Sequence, residues 1–239
     1  MQIFSHRGRG AGFPENTEPA FQSAINAEVD GIETDIQLTK DGKVVIHHDE
    51  RLGRVFQGNE KLFELTLEEL QSRPCLVEGQ EEVQIPTLES VLKLFKANQR
   101  LINIEIKVYS AKTYKALVEK TQALVQELEM LPFVFYSSFY RPALEYMKSL
   151  DPEAACLLLL EDEDAGDILL LPQLNGFHLS IDTWRKLPEN VKKQLMKVTV
   201  IRLWTVNQPE DIKLAWKDGI AALISDVPET VKTLVQEFY

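Results

Sequence analysis

Short apolar runs alternate with amphipathic stretches along most of the chain. Runs rich in apolar and β-branched residues, typical of buried parallel strands, begin near Ile3, Gly31, Leu101, Phe133, Ala154, Gly176, Val198 and Gly219. A stretch with apolar residues at helical spacing follows each of them, and the clearest begins after the capping residue Thr87. The weakest, over residues 163–171, follows the fifth run. The pattern therefore predicts eight strands, each followed by a helix.

Eight strand–helix units in a chain of 239 residues predict a (β/α)₈ TIM barrel. A doubly wound open sheet is the alternative, but no glycine-rich dinucleotide loop follows any predicted strand. Residues 50–86 lack a regular strand–helix pattern. We interpret them as a small insertion after the second strand, on the face that carries the chemistry and without a core of its own. One domain over residues 1–239 is expected.

Two of the predicted strands carry charged side chains on one face. Side chains alternate along a strand, so Glu33 and Asp35 share a face, as do Glu105 and Lys107 on the next predicted barrel strand. A single carboxylate near a strand end is usually a solvated residue or the partner of an arginine. Three on neighbouring strands are costly to bury unless they bind a cation. The pattern therefore predicts a site for a divalent metal.

Composition narrows the function classes. The net charge of −11 argues against non-specific binding to nucleic acid, which requires a basic surface. Apolar runs are too short to span a bilayer, and the N-terminal residues do not form a signal peptide, so we expect a cytoplasmic protein without stable membrane insertion. Cys75 and Cys156 lie far apart, without metal-type spacing, and are expected to be reduced.

Several short motifs occur in a fixed order: His6-Arg7-Gly8, Pro14-Glu15-Asn16-Thr17, Glu33-Thr34-Asp35, His48-Asp49, Glu105-Ile106-Lys107 and Trp204-Thr205-Val206-Asn207. This combination resembles the glycerophosphodiester phosphodiesterase family, from residue 3 to about Pro228. The resemblance implies a (β/α)₈ barrel with a small insertion early in the chain. Residues 49–56 depart from the family's usual run, since Leu52 and Arg54 are kept but the threonines are not.

The resemblance also implies a metal site. Glu33, Asp35 and Glu105 match the positions of the family's metal ligands. Their all-oxygen coordination suits Mg²⁺ or Ca²⁺, with Mn²⁺ as a further alternative, whereas Zn²⁺ usually recruits histidine or cysteine.

The remaining catalytic and phosphate-binding roles follow from the same motifs. His6 and His48 match the family's acid–base pair, which suits a side chain that titrates near neutral pH. His47 is expected to be structural, because only the second histidine of the pair matches the His-Asp motif. Arg7 and Lys107 match the phosphate-binding residues.

Three further residues are open to two interpretations each. Trp204 could form an apolar wall for the glycerol or alcohol moiety, or pack the end of the barrel. Glu15 could line the site or support its loop. We expect His178 to be a structural histidine with satisfied hydrogen bonds.

The expected function is metal-dependent hydrolysis of glycerophosphodiesters, small-molecule substrates, to glycerol 3-phosphate and an alcohol. A lysophospholipase D-like activity on the same site is the first alternative. It requires an exposed apolar mouth, for which the only hints are Phe56, Leu62, Phe63 and Leu65. A non-catalytic phosphodiester-binding barrel is the second. It is disfavoured because every member of the catalytic set is present.

Overall fold

The computed structural model describes residues 1–9, 12–161, 168 and 174–238. Their strands are β1 Gln2–His6, β2 Gly31–Leu38, β3 Val44–Ile46, β4 Leu101–Ile106, β5 Val134–Ser138, β6 Cys156–Leu160, β7 Gly176–Ser180, β8 Val200–Trp204 and β9 Ala222–Ser225. The sheet closes because β1 pairs in parallel with both β9 and β2. β3 lies outside the closed barrel and pairs antiparallel with β2. The predicted (β/α)₈ barrel is confirmed.

Helices cover the outside of the barrel, except for the short helix Leu67–Gln71, which packs in the insertion. Those of the described residues are Glu18–Asn26, Leu67–Gln71, Leu88–Asn98, Tyr114–Glu127, Arg141–Leu150, Ile181–Lys186, Glu189–Val198, Pro209–Lys217 and Pro228–Glu237. The helix Ile181–Lys186 was not predicted; the side chain of Ser180 caps it by accepting a hydrogen bond from the Thr183 N–H. The helix predicted over residues 163–171 falls, apart from Ile168, outside the described residues.

The alternation of side chains along the strands separates two apolar regions. Outward residues of the strands pack against the helices in one large buried cluster. Inward residues form a smaller cluster inside the barrel, built from Phe4, Phe135, Leu157, Ala222 and Ile224. Further along β1, β2 and β4, the inward positions change from apolar to polar. The polar side chains therefore collect at the carboxyl end of the barrel, where barrel active sites are built.

The insertion has a small hydrophobic core of its own, so the expectation that it has none was wrong. Its buried members are Val45, Leu52, Val55, Phe56, Leu62, Leu65, Leu70, Cys75 and Ile85. Apart from Val45, which lies on β3, they come from turns and short helical pieces rather than from elements with a clear period of two or 3.6 residues. Periodicity alone therefore gave no sign of them.

This core also removes most of the basis on which the insertion was expected to supply an apolar mouth for lysophospholipids. Phe56, Leu62 and Leu65 are buried inside the insertion. Of the four residues that suggested the mouth, only Phe63 is exposed, at 49%.

Among the residues described, no helix combines the length and apolar character needed to cross a bilayer. The cytoplasmic location and the single-domain organisation stay predictions. Cys75 and Cys156 are both free and buried, as expected.

Candidate active site

The carboxyl ends of β1, β2 and β4 bring the predicted residues together. The register places His6 beside Glu33 and Asp35 beside Glu105. A cavity of about 160 Å³ opens at this end of the barrel. Of the predicted residues, those that line it are His6, Arg7, Glu33, His48, Glu105, Lys107 and Trp204. Asp35 is fully buried next to this cavity.

Glu33, Asp35 and Glu105 form a buried carboxylate cluster, with one oxygen of each within 4.8 Å of the others. Burial, together with the charges of the other two carboxylates, raises the pKa of Glu33. Burial also raises the pKa of Glu105 to about 7, against the effect of Lys107. Burial opposes ionisation of Asp35 too, but Lys107 and Arg7 hold its pKa below the usual range.

The cluster fits a divalent cation. All of its donor atoms are carboxylate oxygens, and Glu33 Oε2 is buried without a hydrogen-bond donor among the described residues. Hard cations such as Mg²⁺ and Ca²⁺ prefer oxygen ligands of this kind. A cation at this position would favour the ionised form of the two carboxyls whose pKa values are raised.

Two positively charged side chains border the cluster. Lys107 Nζ lies 3.0 Å from Asp35 Oδ1 and 2.5 Å from Glu105 Oε1. Arg7 Nε lies 3.4 Å from Asp35 Oδ2. Both side chains also line the cavity, so an anionic group that entered it would meet both of them.

The loop after β1 is shaped by the first two motifs. Arg7 and Gly8 both have positive φ, of 55° and 73°. A Cβ at Gly8 would lie 2.8 Å from the Phe21 ring, so only glycine fits the turn without displacing its neighbours. Asn16 then fixes the cluster, because its side-chain amide donates to Asp35 Oδ2 at 2.8 Å.

Glu15 is buried and contacts three arginines. Its Oε1 accepts from Arg7 Nη1 at 2.9 Å and from Arg54 Nη2 at 2.7 Å, and its Oε2 lies 3.0 Å from Arg9 Nη2. Burial alone would raise its pKa, but Arg54 and Arg7 lower it to about 2. Glu15 does not line the cavity, so the geometry favours the supporting role.

His6 is held by the last strand of the barrel. Its Nδ1 lies 2.7 Å from Asp226 Oδ1, and its Nε2 lies 3.8 Å from Glu33 Oε2. Asn207 fixes Asp226 by donating to Oδ2 at 2.9 Å and accepting from the Asp226 N–H at 2.9 Å. Burial opposes ionisation of Asp226, but the hydrogen bond to His6 and that from Asn207 keep its pKa below the usual range.

His48 is held by its neighbour in sequence and by the insertion. Its Nδ1 lies 2.7 Å from Asp49 Oδ1, and Arg54 Nε donates to Asp49 Oδ2 at 2.7 Å. Gln37 fixes the turn by donating to the carbonyl oxygens of His47 and Asp49, at 2.8 and 2.7 Å. Burial lowers the pKa of His48, which favours its neutral form.

Two other histidines are buried. His47 turns away from the cavity and lies beside Phe56 of the insertion, with ring centroids 6.2 Å apart. His178 does line the cavity, and neither of its ring nitrogens has a hydrogen-bond partner among the described residues. The expectation that the hydrogen bonds of His178 are satisfied was therefore wrong.

Trp204 forms one side of the cavity. Its indole N–H donates to the His178 carbonyl oxygen at 3.1 Å. Its ring packs edge-on against Phe139, with centroids 5.7 Å apart, and Phe139 is half exposed at the opening. Trp204 thus both packs the barrel end and offers an apolar wall.

Four residues of the site had no predicted role: Asp226, Asn207, Arg9 and Arg54. Three of them had left a signal in the sequence. Asn207 ends the motif that begins at Trp204, Asp226 directly follows the last predicted strand, and Arg54 was kept in an otherwise altered segment. None of these signals indicated which histidine the residue would support.

The chain is similar in sequence to the proteins of one known family. Residues 6–230 match the model of the glycerophosphoryl diester phosphodiesterase family. Glycerophosphodiester phosphodiesterases of Caldanaerobacter subterraneus and Bacillus altitudinis are each 32% identical to the chain. The alignments cover 98% and 99% of this chain and 98% of each relative.

Solved structures of two other phosphodiesterases have the same fold as this chain. A glycerophosphodiester phosphodiesterase of Thermotoga maritima superposes with a TM-score of 0.78 at 28% identity, over 97% of both chains. An Oleispira antarctica phosphodiesterase, solved with the product sn-glycerol-3-phosphate, superposes with a TM-score of 0.84 at 21% identity. That alignment covers 99% of this chain and 97% of the other. The chain belongs to the glycerophosphoryl diester phosphodiesterase family.

Proposed function

We propose that the protein hydrolyses glycerophosphodiesters to glycerol 3-phosphate and an alcohol. The observation that carries this proposal is the meeting, at one cavity, of a three-carboxylate cluster, two cationic side chains and two histidines that each contact a carboxylate. The names of its relatives and their near-complete coverage of the chain support the same activity.

Arg7 and Lys107 bind the phosphoryl oxygens of the substrate. Arg7 offers a planar fork of N–H donors, and Lys107 adds a compact charge on the other side of Asp35. A divalent cation held by Glu33, Asp35 and Glu105 supplies further positive charge to the phosphoryl oxygens when it is bound.

The two histidines divide the proton transfers. His48 is the base: burial favours its neutral form, and the contact of Nδ1 with Asp49 leaves Nε2 free to accept a proton. His6 is the acid: Asp226 holds its Nδ1 at 2.7 Å, and Nε2 on the cavity side gives a proton to the departing alkoxide. The nucleophile is water or the substrate's own 2-hydroxyl, and the second would leave a cyclic phosphate visible by ³¹P NMR.

The test is a coupled assay for release of glycerol 3-phosphate from glycerophosphocholine and glycerophosphoethanolamine. The protein is first treated with chelator, and Mg²⁺, Ca²⁺ or Mn²⁺ is then added back singly. We expect release to stop with chelator and to return with at least one of the metals. Release that persists in chelator contradicts the metal site, and no release with any metal contradicts the proposed substrates.

Lysophosphatidylcholine is the comparison substrate for the lysophospholipase D-like alternative. Because the apolar residues of the insertion are buried in its own core, we expect deacylated substrates to be cleaved in preference. Faster choline release from lysophosphatidylcholine than from glycerophosphocholine would favour the alternative.

A further inference from the structure

His178 is a buried polar side chain that the proposed proton transfers and phosphate contacts do not use. It lies on β7, between Leu159 of β6 and Arg202 of β8 in the sheet register. Its ring packs edge-on against Phe135 inside the barrel, with centroids 6.2 Å apart. It also lines the cavity that holds the two catalytic histidines. The ring therefore lies between Phe135, inside the barrel, and the cavity.

The hydrogen-bonding groups of this ring are unused within the described part of the chain. His178 is fully buried, and neither Nδ1 nor Nε2 has a partner there. Buried polar side chains are hydrogen-bonded in the large majority of cases. A cavity-lining imidazole without a protein partner therefore requires an explanation.

His178 is neutral at physiological pH. Burial, with a smaller contribution from the charge of Arg202, lowers its pKa well below the usual value. A neutral imidazole offers one N–H donor and one lone pair, and it does not attract an anion. Its natural partner is a neutral group that can both donate and accept, such as a hydroxyl.

The cavity itself has two chemically different parts. Arg7 and Lys107 lie in the part beside the carboxylate cluster, which suits the phosphoryl group. Leu159, Trp204 and Ile224 line the apolar part together with His178. Glu161 also lines the cavity, but it is exposed, so His178 is the buried side chain of this part that a hydroxyl would meet.

We propose that His178 recognises a hydroxyl of the glycerol moiety and thereby selects glycerol esters among phosphodiesters. This inference rests on the proposed function, since glycerol is the constant part of those substrates. Trp204 forms the adjoining wall, and its N–H bond to the His178 carbonyl links the wall to the ring.

The test compares three choline phosphodiesters in the metal-loaded enzyme: those of glycerol, propane-1,2-diol and propane-1,3-diol. The two diol esters each lack one glycerol hydroxyl, and choline release reports all three reactions. We expect the wild type to prefer the glycerol ester over at least one diol ester by about 10-fold in kcat/KM, the effect of one hydrogen bond. In His178→Leu this preference should disappear, and in His178→Asn, which keeps a donor and an acceptor, part of it should return.

Phe177→Leu is the matched control, because Phe177 lies on the same strand and packs in the outer core. It should keep the preference even where total activity falls. Equal cleavage of all three esters by the wild type overturns the inference without requiring any variant to fold. A preference that persists in His178→Leu, or an equal fall for all three esters, overturns it as well. Failure of the proposed function is distinct, since the wild type would then release no choline from the glycerol ester.

Discussion

The two histidines proposed as acid and base are held in the same way by different parts of the molecule. Each places Nδ1 2.7 Å from a carboxylate oxygen. For His6 the carboxylate is Asp226, 220 residues away on the opposite side of the barrel seam. For His48 it is the next residue, Asp49, which Arg54 of the insertion holds from the solvent side.

The barrel therefore determines the position of His6, whereas the insertion contributes to the position of His48. The His6 pair is fixed by strand pairing between β1 and β9 and by the Asn207 amide. The His48 pair depends on Arg54, whose side chain is 43% exposed and belongs to the segment that departs most from the family pattern. Changes in the insertion should therefore act directly on the proposed base and reach the proposed acid only indirectly, through Glu15 and Arg9.

Removal of either histidine should have the largest effect. We expect His6→Ala and His48→Ala each to lower kcat for glycerophosphocholine by about 10³-fold, within the usual range for general acid–base catalysis. Metal binding, measured by calorimetry, should change little, because neither histidine belongs to the carboxylate cluster.

The leaving group distinguishes the two roles. A p-nitrophenyl ester of glycerol phosphate needs no protonation of its leaving group, so it should recover most of the activity of His6→Ala but not of His48→Ala. Recovery in the opposite variant would reverse the assignment.

Loss of the barrel-side carboxylate should have the next largest effect. Asp226→Asn removes the negatively charged carboxylate that orients His6. We expect kcat to fall by about 100-fold, as for other displaced catalytic groups, with little change in KM. Steady-state kinetics on glycerophosphocholine measures both quantities, and a rise in KM at constant kcat would contradict a positioning role.

Loss of the insertion-side support should have a smaller effect. Arg54→Ala removes the bonds to Asp49 and Glu15, but the exposure of this side chain reduces their strength. We expect kcat/KM to fall by about 10-fold, as for loss of a charged hydrogen bond. Arg73→Ala is the matched control, because Arg73 also lies in the insertion and bonds to Glu60. An equal loss in both variants would indicate general loosening of the insertion.

The smallest expected effect concerns the two buried histidines, His178 in the barrel and His47 beside the insertion. Burial lowers the pKa of both, and more so for His178. Below about pH 6.5 the unfolded chain binds protons that the folded chain does not, so the free energy of unfolding falls as the pH falls. Between about pH 7 and 5.5 the wild type should lose about 1 kcal/mol more than His178→Leu.

His47→Leu should differ less from the wild type than His178→Leu does, because the pKa of His47 is lowered less. Urea unfolding at each pH measures these values. Equal slopes for the wild type and His178→Leu would show that the histidine in the barrel titrates as in the unfolded chain.

The parts of the site that lie on strands were predictable from the sequence. Glu33, Asp35 and Glu105 share inward faces because side chains alternate, and parallel strands bring their carboxyl ends to one edge. The barrel followed from the count of strand–helix units. The motifs then located His6 and His48 at the same edge.

The supporting contacts were not predictable, because they join residues with no local relation. Arg54 meets Glu15 across 39 residues, and a partner at that distance has no periodicity to reveal it. The core of the insertion was hidden for the same reason. The expectation for His178 was wrong because a strand pattern shows that a side chain is buried but does not show whether it has a hydrogen-bond partner.

The seam between β1 and β9 has a consequence for synthesis of the protein on the ribosome. His6 is made 220 residues before its partner Asp226, so all of the intervening chain is synthesised before the two can meet. The three carboxylates of the cluster, Glu33, Asp35 and Glu105, are synthesised long before Asp226. A nascent chain can therefore assemble its carboxylate cluster early, but it becomes a competent catalyst only when the final strand closes the ring.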